Sequence, residues 1–428
     1  MTTEVYERGI DAAAPVGKTR RVLLAPIGWY TRYMLRSYAQ NVFIITSGLI
    51  IIGLSIELAR TVPRAFAGES DAQGFWLFFQ FLAHAGLRTI DFFTRLLPLG
   101  CFLGVLASEV GHTLSRERVM IWNSGRSPVQ CLMPVLIFAA AVGALQYTME
   151  AYVRPATVQM QAAKWMGVFA KPYDRSQVTS RYWLSGGADL VQAKIEYGPP
   201  LTLHEVMIYR HDREGKLSEL ISAQRATVEG NSLRWRLYGG NRWPVESSIS
   251  SSASGSDATP RPEPSPRPEA PSQASAAPEI VDLDIDPLWL SNYRVHASVL
   301  SQDVLGSLAD ATGGRYQAAN YRTWLYYRYA QWFYPGGMAL LACSLALLLL
   351  SQQVRLEAVL AIGALGYMGH VAQRVCLTLG ENGDIPPLAA GWFAPAFVLS
   401  VSGLAILATM LPRLRAQRRA RGHARAPI

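Results

Sequence analysis

Titratable and nucleophilic side chains are where chemistry would begin, and in this chain of 428 residues their spacing excludes most of it. No Gly-x-x-x-x-Gly-Lys-Ser/Thr run is present to cradle a nucleotide phosphate, so the chain is not expected to hydrolyse ATP itself. His204-Glu205 begins like the helical zinc-protease motif. The second histidine would fall at Ile208, however, and LTLHEVMIYRHD alternates as a strand does. A Gly-x-Ser-x-Gly elbow and a catalytic Cys/His grouping are both missing. Cys101, Cys131, Cys343 and Cys376 lie in apolar stretches without CxxC spacing, which leaves neither a disulfide framework nor a metal site. No catalytic residue, metal or cofactor is expected.

Two groups of charges remain. The first lies in the stretch Glu109–Ser127. Ser115 is placed to cap a short helix whose first turn holds Glu117, and Gly125 followed by Pro128 is placed to end it, so residues 113–125 read as an amphipathic helix. Leu114, Val119, Met120, Ile121 and Trp122 are available for burial, and Arg116, Glu117 and Arg118 for a charged contact. The same pattern also suits a connector lying on a membrane surface. The second group sits in or beside apolar segments: Glu57, Arg60, Arg64, His370, Gln373 and Arg374. An ionisable group there is costly unless it faces protein or a wet cavity. Arg60 and Arg64 suit either an anionic ligand or simple snorkelling to the interface, and Arg374 could pair with Glu57 or another acid. Asp91 and Arg95, four apart, predict a local ion pair.

Such charges need elements to hold them. Half of the residues are hydrophobic and 17% are charged, against about 25% in soluble proteins. The mean hydropathy of only +0.13 is nevertheless too low for a chain built wholly of membrane helices. Residues 1–40 form a polar N-terminal segment without the apolar core and cleavage site of a secretory signal. Apolar runs suited to crossing a hydrocarbon core follow at 41–59, 91–108 and 128–149, with an aromatic-rich, interfacial or partly buried helix at 75–90 entering the second. Three more lie at 332–350, 357–379 and 389–411. Between the triplets, 150–322 alternates in short period-two runs broken by Gly, Asn and Asp, the pattern of an antiparallel β sandwich or open barrel. Within it, 247–278 is Ser-rich and then Pro-rich, with seven prolines between Pro260 and Pro278. Such a segment cannot bury enough apolar surface to offset its ordering entropy, and a disordered insert is expected. IVDLDIDPLWLS, next along the chain, reads as a last strand.

The fold class expected is therefore an α-helical membrane protein of six transmembrane helices, three and three, with an inserted all-β domain. Charge orients it. Much of the +9 excess is in Arg116, Arg118, Arg126, Arg355 and the basic tail 412–428, which share a side with the N-terminus, whereas the Glu381–Asp384 loop is acidic. The positive-inside rule then places both termini in the cytoplasm, and no nucleic-acid groove is implied.

The run LLPLGCFLGVLASEVGHTLSRERVMIWNSGRSP closely resembles the LptF/LptG permease family. There a Leu-Pro-containing second helix leads into a cytoplasmic coupling helix with an acidic residue eight positions before a Gly. Leu97, Pro98, Glu117 and Gly125 occupy those positions here. Arg32-Tyr33, the three-plus-three plan around a β domain and Ile385-Pro386-Pro387 before the last helix extend the resemblance over nearly the whole chain. The Ile-Pro-Pro run and LSELISAQRATVEGNSLRWRLYGG look more like LptG than LptF.

The resemblance implies the permease subunit of an ABC-type lipopolysaccharide exporter in a Gram-negative inner membrane. It implies a second permease of the same plan, a cytoplasmic ABC ATPase dimer docked on the coupling helices, a single-span LptC-like protein, and a periplasmic bridge that receives lipid from a jellyroll-like β domain. Glu117 is the residue it carries to the ATPase contact, and it places Glu57, Arg60, Arg64, His370, Gln373 and Arg374 near a lipid path or lateral gate. Two other readings compete: a membrane-anchored ligand-binding or sensory protein, which lacks a cytoplasmic output domain, and a lipid-modifying enzyme using His370 and Glu57.

Overall fold

A computed structural model describes residues 28–66, 74–123, 128–163, 180–186, 189–198, 200–212, 214–229, 233–245, 272–275, 278–310, 315–350 and 353–423. The chain opens with α1 (Trp29–Phe66), α2 (Gly74–Leu114), α3 (Glu117–Asn123) and α4 (Pro128–Thr148). A five-residue π turn, Met149–Val153, joins α4 to α5 (Arg154–Ala163). Pro155 accounts for it: proline donates no N–H and its ring crowds the carbonyl four residues back, so the helix widens locally. Eight strands follow, then α6 (Pro287–Ser291), α7 (Gln302–Asp310), α8 (Arg315–Ala330), α9 (Tyr334–Leu349), α10 (Leu356–Asn382) and α11 (Pro387–His423).

Among the described residues, four helical stretches are long and apolar enough to cross a membrane: Trp29–Ala59, Phe81–Leu114, Gln130–Ala163 and Pro387–Leu411. Counting Ala318–Ala330 and Tyr334–Leu349, bent by 50°, as one span makes five. That bend precedes Pro335, which donates no N–H and whose ring crowds the Gln331 carbonyl four residues back, so the helix breaks over 331–333. α10 has the length, 27 residues, but Glu357, His370, Gln373 and its glycines dilute its apolarity. The sequence expectation of six is thus met by four or five on this criterion. Residues 75–90, expected as an interfacial or partly buried helix entering the second span, are continuous with α2, whose span by composition starts at Phe81 rather than Asp91.

Small residues set the helix contacts, as is usual where lipid removes the hydrophobic drive for helix association. At Gly104 of α2 a Cβ would stand 2.5 Å from Val42 Cα on α1, and at Gly143 of α4 it would collide with the Trp332 carbonyl oxygen in the α8–α9 bend. Around these contacts Tyr38, Phe102, Val135, Met338 and Ala342 form a closed helical core.

The strands β1 (Tyr182–Gly186), β2 (Asp189–Glu196), β3 (Thr202–His211), β4 (Leu217–Val228), β5 (Arg234–Tyr238), β6 (Gly240–Pro244), β7 (Ser272–Ser275) and β8 (Glu279–Asp282) form one antiparallel sheet. Its main path runs β1-β2-β3-β4-β5-β8. β4 is long enough to pair twice, through Arg225–Val228 with β5 and through Glu219–Ser222 with β6, which in turn carries β7. Opposite Ala193, β3 spends two residues, Glu205 and Val206, with Glu205 at φ +51°. This bulge shifts the inward side chains from Leu203 to Val206 and Ile208, three and then two residues apart. Ile208, where a zinc motif would need histidine, is a fully buried core residue.

The covered face of the sheet, with Val191, Ile195, Ile221, Trp235 and Leu237, packs on Leu305 and Leu308 of α7 and on Tyr321, Trp324 and Tyr327 of α8. Sheet and bundle therefore share a core. Two sequence expectations are corrected here. Ser272–Ser275, assigned to the insert, is a strand held by β6, while residues 246–271 lie outside the described residues. IVDLDIDPLWLS stays extended only to Asp282, because Asp286 caps α6 by accepting from Leu288 N at 2.8 Å and Pro287 pre-sets its first turn.

Candidate functional site

α3 hangs from α2 by two residues, and Arg116 in that turn takes φ +58°. Ser115 does not cap α3. Its hydroxyl donates back to the Gly111 carbonyl at 3.0 Å and so closes α2, which is why the helix begins at Glu117 and has seven residues. Glu117 Oε2 accepts from the Tyr33 hydroxyl at 2.9 Å and lies 2.7 Å from His112 Nδ1. Burial pushes this carboxyl up, but the bonds to His112 and Tyr33 outweigh it and hold the group below the usual carboxylate range.

Arg118 turns the other way. It is 5% exposed and ion-paired with Glu109, itself 1% exposed on the last turns of α2. Glu109 Oε1 also accepts from the Tyr38 hydroxyl at 2.5 Å, and the Cys343 thiol stands 3.6 Å away. A small recess of about 20 Å³ adjoins the pair, lined by Tyr30, Met34, His112, Ile121, Cys131 and Leu347. On the outer side of α3, Arg116, Val119 and Met120 are exposed, Met120 by 69%, and Ile121 is half-buried. The expected sorting is partly inverted: two apolar residues face out, and a guanidinium is taken in. Trp122's side chain and Gly125 lie outside the described residues.

Some 23 residues back along α2, or about 35 Å at 1.5 Å per residue, a second cluster ties the other end of the bundle together. Asp91 accepts from Arg88 at 3.1 Å and from Arg154 at 2.8 Å, and it is ion-paired with Arg95 at 3.1 Å. Arg88 also reaches Glu57 on α1 at 2.6 Å, and Arg154 pairs with Glu150 in the π turn. Asp91, Arg88, Arg154 and Glu150 are all buried. Three carboxylates thus meet three guanidiniums, an arrangement that keeps buried charge tolerable. The Asp91–Arg95 pair expected from spacing is present, and Glu57 is held by Arg88.

On α10, His370 is half-buried, and its Nδ1 has no partner among the described residues. Gln373 is 3% exposed with both amide atoms without a partner among the described residues, and Arg374 is exposed. Arg374 is close enough to Arg95 for their charges to repel. Arg60 and Arg64 fall within α1, but their side chains lie outside the described residues, as do those of the basic tail.

Glu109, Arg88, Glu150 and Arg154 were not singled out by sequence. Glu150 and Arg154 had a readable signal, the same spacing of four that marked Asp91 and Arg95. Glu109 and Arg118 had none, because the turn at Ser115–Arg116 folds two residues nine apart onto each other.

A family model described as lipopolysaccharide export system permease LptF/LptG matches residues 32–408. The match covers nearly the whole chain and does not separate the two permeases. No curated protein matches the chain.

Proposed function

The chain belongs to the LptF/LptG family of lipopolysaccharide export permeases, and from that premise we propose that it is one of two permease subunits of an ABC-type exporter that lifts lipopolysaccharide out of the inner membrane. Members of this family are permease components of the export system rather than enzymes, and hydrolysis is assigned to a separate ATPase dimer. In this reading α10 is the sixth span, its polar residues tolerated because they face a lipid path shared with a second permease. Both termini and α3 are cytoplasmic. The sheet is periplasmic and jellyroll-like, and it passes lipid to an LptC-like protein and a periplasmic bridge.

The observation that carries the reading is the surface of α3. Exposed Val119 and Met120, with Arg116 and the rim carboxylate of Glu117 beside them, offer an apolar centre and a charged edge, a composition suited to a protein partner. The carboxylate already accepts from Tyr33 and His112, and its remaining lone pairs suit a cation of the ATPase. The lipid's phosphates would meet Arg374, and its acyl chains the apolar faces of α1 and α10.

Co-purification tests this. Wild-type protein is expected to bring down an ATPase in stoichiometric amount, with ATP turnover coupled to lipid release, and Glu117→Lys to lose or uncouple it. Protein that binds no ATPase yet modifies lipid unaided would overturn the assignment.

A further inference from the structure

Seven residues of helix are far too few to be stable alone in water, and α3 is attached to α2 by a two-residue turn. A partner pushing on such a helix would simply move it unless something fixed it to the bundle. Two clasps do so. The outer clasp is Glu117 with His112 and Tyr33, where the glutamate side chain is 37% exposed. The inner clasp is Arg118 with Glu109, both side chains nearly inaccessible at 6% and 2%.

The inner clasp reaches more of the fold. Glu109 belongs to α2, the Tyr38 hydroxyl that it accepts comes from α1, and the Cys343 thiol beside it comes from α9. One carboxylate therefore gathers α3, two helices of the N-terminal half and one of the C-terminal half. The remaining guanidinium nitrogens of Arg118, Nε and Nη1, have no partner among the described residues. Arg118 is thus held by one acid, and its hold on the bundle depends on that pair. The outward residues Arg116, Val119 and Met120 take no part in the clasp.

We propose that Glu109 and Arg118 are positioning residues that form the mechanical joint of the exporter, making α3 move as one body with α1, α2 and α9 so that a displacement of α3 is delivered to the membrane helices. This rests on the reading of α3 as the ATPase-coupling helix. It adds a separation of tasks, in which the outer surface binds the partner and the buried pair transmits. A joint of this kind has a distinctive failure, since its loss leaves the partner bound and hydrolysing ATP while transport stalls.

The assay uses the assembled exporter in lipid vesicles. It reads ATPase stoichiometry, ATP turnover and lipopolysaccharide released per ATP. Arg118→Met and Glu109→Gln are expected to retain the ATPase while release per ATP falls on the order of tenfold, within the usual range of coupling between sites. Because a lone buried charge can compromise folding, the double variant Glu109→Gln/Arg118→Met removes both charges, a replacement that buried ion pairs commonly tolerate. It is expected to keep wild-type thermal stability and ATPase binding and still to uncouple.

Wild-type release per ATP in the double variant would overturn the joint, and so would loss of the ATPase in parallel with transport in that folded protein. Glu117→Lys, run alongside, separates the two claims. If it leaves both ATPase binding and its coupling to lipid release intact, the docking assignment of α3 fails, whatever the buried pair does.

Discussion

Replacing Asp91 with asparagine keeps the size and shape of the side chain and removes one negative charge from the centre of the six-residue cluster. Glu57 and Glu150 would then face Arg88, Arg95 and Arg154, one cation in excess, in a site where Asp91 itself is 1% exposed. Breaking a buried pair by removing one partner costs about 3–5 kcal/mol. Arg95, whose side chain is 40% exposed, can turn toward solvent and relieve part of this, so the lower end, about 3 kcal/mol, is expected. At a few degrees per kcal/mol for a unit of this size, thermal unfolding in detergent should shift down on the order of 10 °C.

Glu205→Gln is the matched comparison. That carboxylate also serves two cations, Arg181 at 2.6 Å and Lys194, but in open water, where such pairs contribute little. The pair of measurements, followed by intrinsic fluorescence, separates burial from the mere presence of an ion pair. If Asp91→Asn lowered the transition no more than Glu205→Gln does, the cluster would not be a structural tie between α1, α2 and α5. The double variant Asp91→Asn/Arg154→Gln should cost less than the sum of its singles, because the first loss leaves the second charge unpaired.

Other outcomes follow from the close contacts and from the outer clasp. Gly143→Val should separate α4 from the α8–α9 bend, since a Cβ there has no room beside the Trp332 carbonyl; loss of folded protein on expression, against near-normal yield for Gly111→Ala, where a Cβ meets nothing within 4 Å, checks it. Glu117 has its carboxyl lowered by His112 and Tyr33 against the effect of burial. Its contribution to the clasp is therefore complete above the ordinary carboxylate value of about 4.3 and is lost only as pH falls through the lower folded value. Between about pH 8 and 9, above the ordinary imidazole range in which the partner His112 could change charge, the ratio of wild-type to Glu117→Gln coupled transport should stay flat, as measured in vesicles, and a marked slope there would contradict the assignment.

The sequence carries the long-range plan where a pattern is periodic. Apolar runs mark α1, α2, α4 and α11 because a membrane span must be apolar along its length. Alternation marks β2 to β5 because one face of the sheet is covered. The plan is blurred wherever backbone chemistry overrides pattern. Pro335 bends the path from α8 into α9 at the start of the apolar run 332–350, Asp286-Pro287 starts a helix inside what reads as a strand, and the bulge at Glu205 breaks the period in β3. Glu117 was legible at the candidate site through its place in a motif. Arg118 was offered for a charged contact without a named partner, since helical spacing alone cannot say which side of a two-residue turn faces the bundle. The buried cluster was half visible, with Asp91 and Arg95 readable from spacing and Arg154 brought to them by tertiary packing.

Gly240 pairs with Ser275 and Arg242 with Ser272, so residues 246–271 leave from one strand of a pair and return on the other. Their two anchor strands lie side by side as an antiparallel pair. The entropic cost of closing such a connection grows only logarithmically, about 0.6 kcal/mol for each doubling of its length. The β6–β7 tip is accordingly a place where this chain can gain or shed sequence almost freely, and a foreign peptide or tag inserted there should leave both the sheet and the membrane bundle as they are.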